Sequence, residues 1–226
     1  MDTRQAILLS ILVALTGNPV QGRPHDRIVF FGDSITEEGD RKGGYVTLVR
    51  DSLALAGDSS EVIGAGISGH KVPDLLARLD RDVIARKPTI VVIYIGINDV
   101  WHSILPGLHG TPPDEFRTGM NTLVKSISGT GARVILCTPS MVGEKTDGSN
   151  PLDSLLDVYA GITRDVATDT GTRLCDLRKE FLTYLRDHNP HNVREGILTR
   201  DGVHLTPAGN RFVAEAMLDA LHALRH

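Results

Sequence analysis

Aromatic side chains are scarce in this 226-residue chain, at 4% with a single tryptophan, so there is little material for base-stacking platforms or a broad lipid groove. Positive charge does not dominate either. Lys and Arg number 24 against 28 Asp and Glu, a formal charge of -4, and no basic cluster offers a nucleic-acid footprint. Cysteine is limited to Cys137 and Cys175, neither with ligand-spaced neighbours, which argues against a metal site or a cysteine nucleophile. The pair leaves two readings open: a disulfide in an exported protein, or two buried thiols, since each closes a short apolar run (VILC and RLC). Apolar runs long enough to cross a bilayer, about 20 residues, are also missing. The nearest is Ala6–Leu15, which follows Arg4 and precedes Gly17, Asn18 and Pro19. A basic start, an apolar stretch and a breaker predict a secretory signal over residues 1–22. A packed N-terminal helix or an uncleaved membrane anchor is the alternative. Residues 23–226 are then expected to form one domain, secreted or periplasmic, large enough to need no metal or disulfide staple.

What is present is alternation. Strand-length apolar runs at 28–31, 61–63, 89–95, 133–137 and 172–176 are separated by amphipathic stretches at 44–56, 72–86, 115–128, 152–168 and 179–186. The run Thr89–Ile95 is β-branched without alternation, as in a strand buried on both faces. Thr206 and Pro207 suit the start of a closing helix through Leu224. Strand–helix alternation predicts an α/β fold with a covered parallel sheet. Two longer polar connections, 101–114 and 140–151, are expected at its carboxyl edge.

Ligands bind beyond the carboxyl ends of such strands. After the first strand comes Gly32-Asp33-Ser34, after the second Gly64–Gly69, after the third Gly96-Ile-Asn98-Asp99, and before the last helix Asp201-Gly-Val-His204. These supply the parts for acyl transfer through a covalent intermediate. Ser34 is the candidate nucleophile and His204 its base. Asp201, three residues before His204, can hold the far ring nitrogen. The Ser34 N–H, a glycine N–H and the Asn98 amide are candidate oxyanion donors.

In these four blocks the sequence resembles the SGNH hydrolases, the GDSL-type esterases and lipases. Gly32–Ser34 matches the G-D-S block, Gly64–Gly69 the second block with Gly69 as donor, Gly96–Asp99 the G-x-N-D block, and Asp201–His204 the D-x-x-H block. The resemblance implies a three-layer, flavodoxin-like α/β/α fold on a parallel five-stranded sheet. It further implies ester hydrolysis without metal or cofactor, Ser34, Asp201 and His204 as catalytic residues, and Ser34, Gly69 and Asn98 as the oxyanion hole. One position departs: Gly64 stands where many members carry Asn, removing a supporting side chain from that loop.

Around this set, Trp101 and His102 are expected at the substrate pocket, with His70 at its edge. Asp33 is a further pocket candidate or a brace for its own turn, and Asp99 a brace for the loop. Glu37, Glu38 and Asp40 read as a solvated face. Low aromatic content and acidic balance favour a small acyl group, such as acetyl, on a carbohydrate or other small polar alcohol. Lysophospholipase or thioesterase activity, acyl transfer, and a non-catalytic carbohydrate-binding module are the competing readings. Neither a nucleic-acid partner nor stable membrane insertion after signal removal is expected, and oligomeric state stays open.

Overall fold

The computed structural model describes residues 25–225; the expected signal segment lies outside the described residues. Five parallel strands form one sheet in the order β2-β1-β3-β4-β5. They are β1 (Arg27–Gly32), β2 (Glu61–Gly66), β3 (Ile90–Tyr94), β4 (Arg133–Cys137) and β5 (Arg173–Cys175). β1 and β3 are buried on both faces, which is why their apolar residues run without alternation.

Eight α-helices complete the described chain: α1 (Ser34–Gly39), α2 (Tyr45–Leu55), α3 (Val72–Asp82), α4 (Ile97–Trp101), α5 (Pro113–Ser128), α6 (Asp153–Thr170), α7 (Leu177–His188) and α8 (Pro207–Arg225). α2 packs on α8, while α5 packs between α3 and α6, so helices cover both faces of the sheet. The expected α/β/α arrangement is therefore the observed one. As expected, α8 is capped by Thr206, whose Oγ1 accepts from the Gly209 N–H at 3.0 Å. α3 stops before the expected Arg86, because Val83 leaves helical dihedrals and Lys87 takes a left-handed conformation just before a proline. Cys137 and Cys175 sit opposite each other in the β4–β5 ladder as buried free thiols.

The two short helices, α1 and α4, follow β1 and β3 directly, on segments to which the periodicity assigns no element. β1 is the strand at which the chain switches sides of the sheet, and β3 is its other neighbour. The crevice between their carboxyl ends is where such sheets place ligands.

Candidate active site

Ser34 opens α1. Its predecessor Asp33 caps that helix, the carboxylate accepting the Ile35 N–H at 3.0 Å. Asp33 is 2% exposed and braces the turn; burial, reinforced by nearby Asp99, pushes its carboxyl up to about 7 despite that hydrogen bond. At the start of a helix the Ser34 N–H has no intrahelical acceptor.

His204 comes to Ser34 from across the molecule. Its Nε2 lies 3.0 Å from Ser34 Oγ, and its Nδ1 lies 2.7 Å from Asp201 Oδ2. An ionised carboxylate only accepts, so Nδ1 carries the proton and Nε2 presents a lone pair to the serine hydroxyl. Asp201 Oδ1 also takes the N–H groups of Val203 and His204, at 3.0 and 2.7 Å. Burial raises the Asp201 carboxyl, but these hydrogen bonds together hold it below its ordinary value. It is thus a fixed negative charge behind the imidazole.

The third component is the loop between β2 and α3. Gly69 has φ +78°, a conformation that glycine adopts without strain. The Ser68 N–H is taken by Glu37 and the His70 N–H by the Ile67 carbonyl. The Gly69 N–H between them has no acceptor among the described residues. Asn98 in α4 is buried and gives one amide proton to the His70 carbonyl at 3.0 Å, which fixes the orientation of the other. Asp99 Oδ1 accepts the Val72 N–H at 3.1 Å, bracing the same loop as expected; burial pushes its carboxyl up to about 6. His70 is held by its ring, Nδ1 accepting from Arg78 Nε at 3.1 Å. Burial and Arg78 both lower its pKa, keeping it neutral. Trp101 is half-buried against the core at the end of α4, and half-buried His102 follows it.

Several residues that organise the site escaped sequence reasoning. Arg78 is 4% exposed and bonds the Gly32 and Ala65 carbonyls at 2.7 and 2.9 Å, tying together the ends of β1 and β2. Glu144 is fully buried in the expected polar loop, and its carboxylate gathers the N–H groups of Ile197, Leu198 and Thr199 with the Thr199 hydroxyl. Glu37, Glu38 and Asp40 lie on a partly exposed face, as expected, but each also has a partner there: Ser68, Arg200 and Arg50 respectively. Asp40 also accounts for the departure at Gly64. A Cβ there would fall 2.5 Å from Asp40 Cγ, so the space a side chain at 64 would need is filled from α1's end. No group of three or more His, Cys, Asp or Glu suited to holding a metal ion occurs among the described residues.

Comparison with known proteins points the same way. Residues 30–212 match the model of the GDSL-like lipase/acylhydrolase family. The chain is 32% identical over 210 residues to an acetylxylan esterase of Geobacillus stearothermophilus, covering 85% of this chain and 92% of that protein. It is 30% identical to an isoamyl acetate-hydrolyzing esterase 1 homolog of Mus musculus, covering 83% and 78%. Among solved structures, an acetyl xylan esterase (AlAXEase) superposes with a TM-score of 0.84 at 45% identity, covering 86% of this chain and 99% of that one.

Proposed function

The chain belongs to the GDSL-like lipase/acylhydrolase family and is a carboxylic ester hydrolase; from that premise we propose that Ser34, His204 and Asp201 cleave acetyl esters of carbohydrates through an acyl-enzyme. The observation that carries the reading is the unbroken line from Asp201 Oδ2 through His204 to Ser34 Oγ, with contacts of 2.7 and 3.0 Å. In the proposed reaction Ser34 Oγ attacks the ester carbonyl as its proton moves to His204 Nε2. The Ser34 and Gly69 N–H groups and the Asn98 amide stabilise the oxyanion. Collapse breaks the bond to the alkoxy oxygen, which leaves as the alcohol with the proton from His204. Water, deprotonated by His204, then attacks the acetyl-serine and releases acetate, restoring Ser34. Asp201 stabilises the imidazolium in both halves and stays ionised.

Support for acetylated carbohydrate comes from the acetylxylan esterases among the relatives. The test is initial rates on p-nitrophenyl acetate, longer-chain esters and acetylated xylo-oligosaccharides, for wild type and Ser34→Ala. Wild type is expected to favour the acetyl esters, with Ser34→Ala slower by about 10⁴-fold or more. Equal rates in the two proteins would overturn the mechanism, and a preference for long chains would overturn the substrate class. Residues 1–22 are proposed as an export signal, so a secreted or periplasmic product should begin near residue 23 by mass spectrometry. No helix of the described residues is long and apolar enough to cross a membrane.

A further inference from the structure

Ser34, Glu37 and Glu38 stand at helical positions i, i+3 and i+4 of α1, so both carboxylates rise one turn beyond the serine, on its side of the helix. The two are neighbours in sequence and diverge to opposite loops. Glu37 Oε2 accepts both the N–H and the hydroxyl of Ser68, at 2.7 and 2.6 Å, next to Gly69. Glu38 meets Arg200 through two parallel bonds of 2.8 and 2.9 Å, next to Asp201. Such a planar fork fixes direction as well as distance.

The packing beneath brings the loop within reach. A Cβ at Gly66 would fall 2.1 Å from the Glu37 nitrogen, so the glycine lets the end of β2 lie directly on α1. One turn of helix thereby joins the serine to the two segments that complete the site.

We propose that Glu37 and Glu38 are positioning residues: α1 sets the Gly69 donor through Glu37 and the Asp201–His204 loop through Glu38. This rests on the mechanism proposed above. Both carboxylates are partly exposed, at 38% and 28% of the side chain. The exposed Glu38–Arg200 ion pair contributes little to folding, and Glu37 bonds Ser68 at a similarly open site, so removal of either should be read in rate, with the fold retained. A misplacement of about 1 Å at a reacting centre can cost up to 10²-fold.

The experiment measures kcat and KM on p-nitrophenyl acetate, and melting temperature. Glu37→Ala is expected to lower kcat by about 10- to 100-fold with KM within about threefold, and Glu37→Gln, which keeps an acceptor, to recover most of the loss. Glu38→Ala is expected to lower kcat about tenfold with KM within about threefold. Exchanging the pair, Glu38→Arg with Arg200→Glu, should restore most of kcat. If Glu37→Ala fails to fold, Ser68→Ala reads the same link from the loop side with a several-fold loss. Alanine variants matching wild type in kcat would overturn the proposal, as would rate losses that only track a fall in melting temperature. Ser34→Ala run alongside separates the cases, because equal rates there would sink the mechanism itself.

Discussion

Ser34 and Asn98 hang from adjacent strands of the sheet, whereas Asp201 and His204 hang from residues 189–206, between α7 and α8, which belong to no strand of the sheet and carry one isolated β-bridge, from Thr199 to Leu205, among the described residues. On the strand side, the β1–β3 ladder sets Gly32 opposite Tyr94, and the spacing of the serine and the amide follows from backbone pairing. On the loop side, side chains take over that role. Glu144 gathers four donors, and Asn189 binds the Glu144 and Val193 carbonyls at 2.7 and 2.8 Å. The difference teaches where each half is vulnerable. A ladder spreads its hydrogen bonds over many residues, while the loop concentrates them on a few buried polar groups, each costly to leave unpaired.

The sharpest way to break this comparison is on the loop side. Asp201→Asn should keep the fold, since the residue is exposed, yet lower kcat by about 10³- to 10⁴-fold by favouring the wrong imidazole tautomer. Steady-state kinetics on p-nitrophenyl acetate checks this, and a loss below tenfold would mean that the carboxylate does not orient the base. Glu144→Gln comes next: one acceptor oxygen becomes a donor facing N–H groups, for a destabilisation of about 3 kcal/mol. Hydrogen exchange should show residues 194–206 opening early while β1 and β3 keep their protection. Uniform loss across the molecule would erase the distinction between the halves.

The smallest effect belongs to the strand side. Asp33 titrates at about 7 in the folded chain against 3.8 in the unfolded one, so the folded state holds its proton more tightly. That contribution to stability grows as pH falls from about 7 toward 5. Asp33→Asn should remove about 1–2 kcal/mol of this gain between pH 7 and 5, below the roughly 2.8 kcal/mol that two pH units at about 1.4 kcal/mol each allow. Urea unfolding at several pH values reads the difference, and parallel curves would show that Asp33 is ionised throughout.

Strands were legible because continuous β-branched runs have few other outcomes, and β4 has the boundaries expected from its residues. The blocks holding Ser34, Gly69, Asn98 and His204 could be located along the chain because each abuts an element whose position follows from periodicity. α1 and α4 were not legible, since helices of six and five residues hold too few turns to display a period. The contacts of Glu37, Glu38, Arg78 and Glu144 were hidden for another reason. Glu38 and Arg200 are 162 positions apart, and Glu144 and Thr199 are 55 apart. Nothing local distinguishes an acid that will meet a distant partner from one left in water, and only the closed fold separates them.

The contact between His204 and Ser34 spans 170 positions of chain. At the ribosome, where roughly 5–20 residues are added each second, the serine emerges about 10–30 s before the imidazole that would activate it. On the proposed roles, a growing chain carries its nucleophile without its base for most of its synthesis. Under the proposed mechanism, the onset of ester cleavage would itself signal that synthesis has run almost to the final helix.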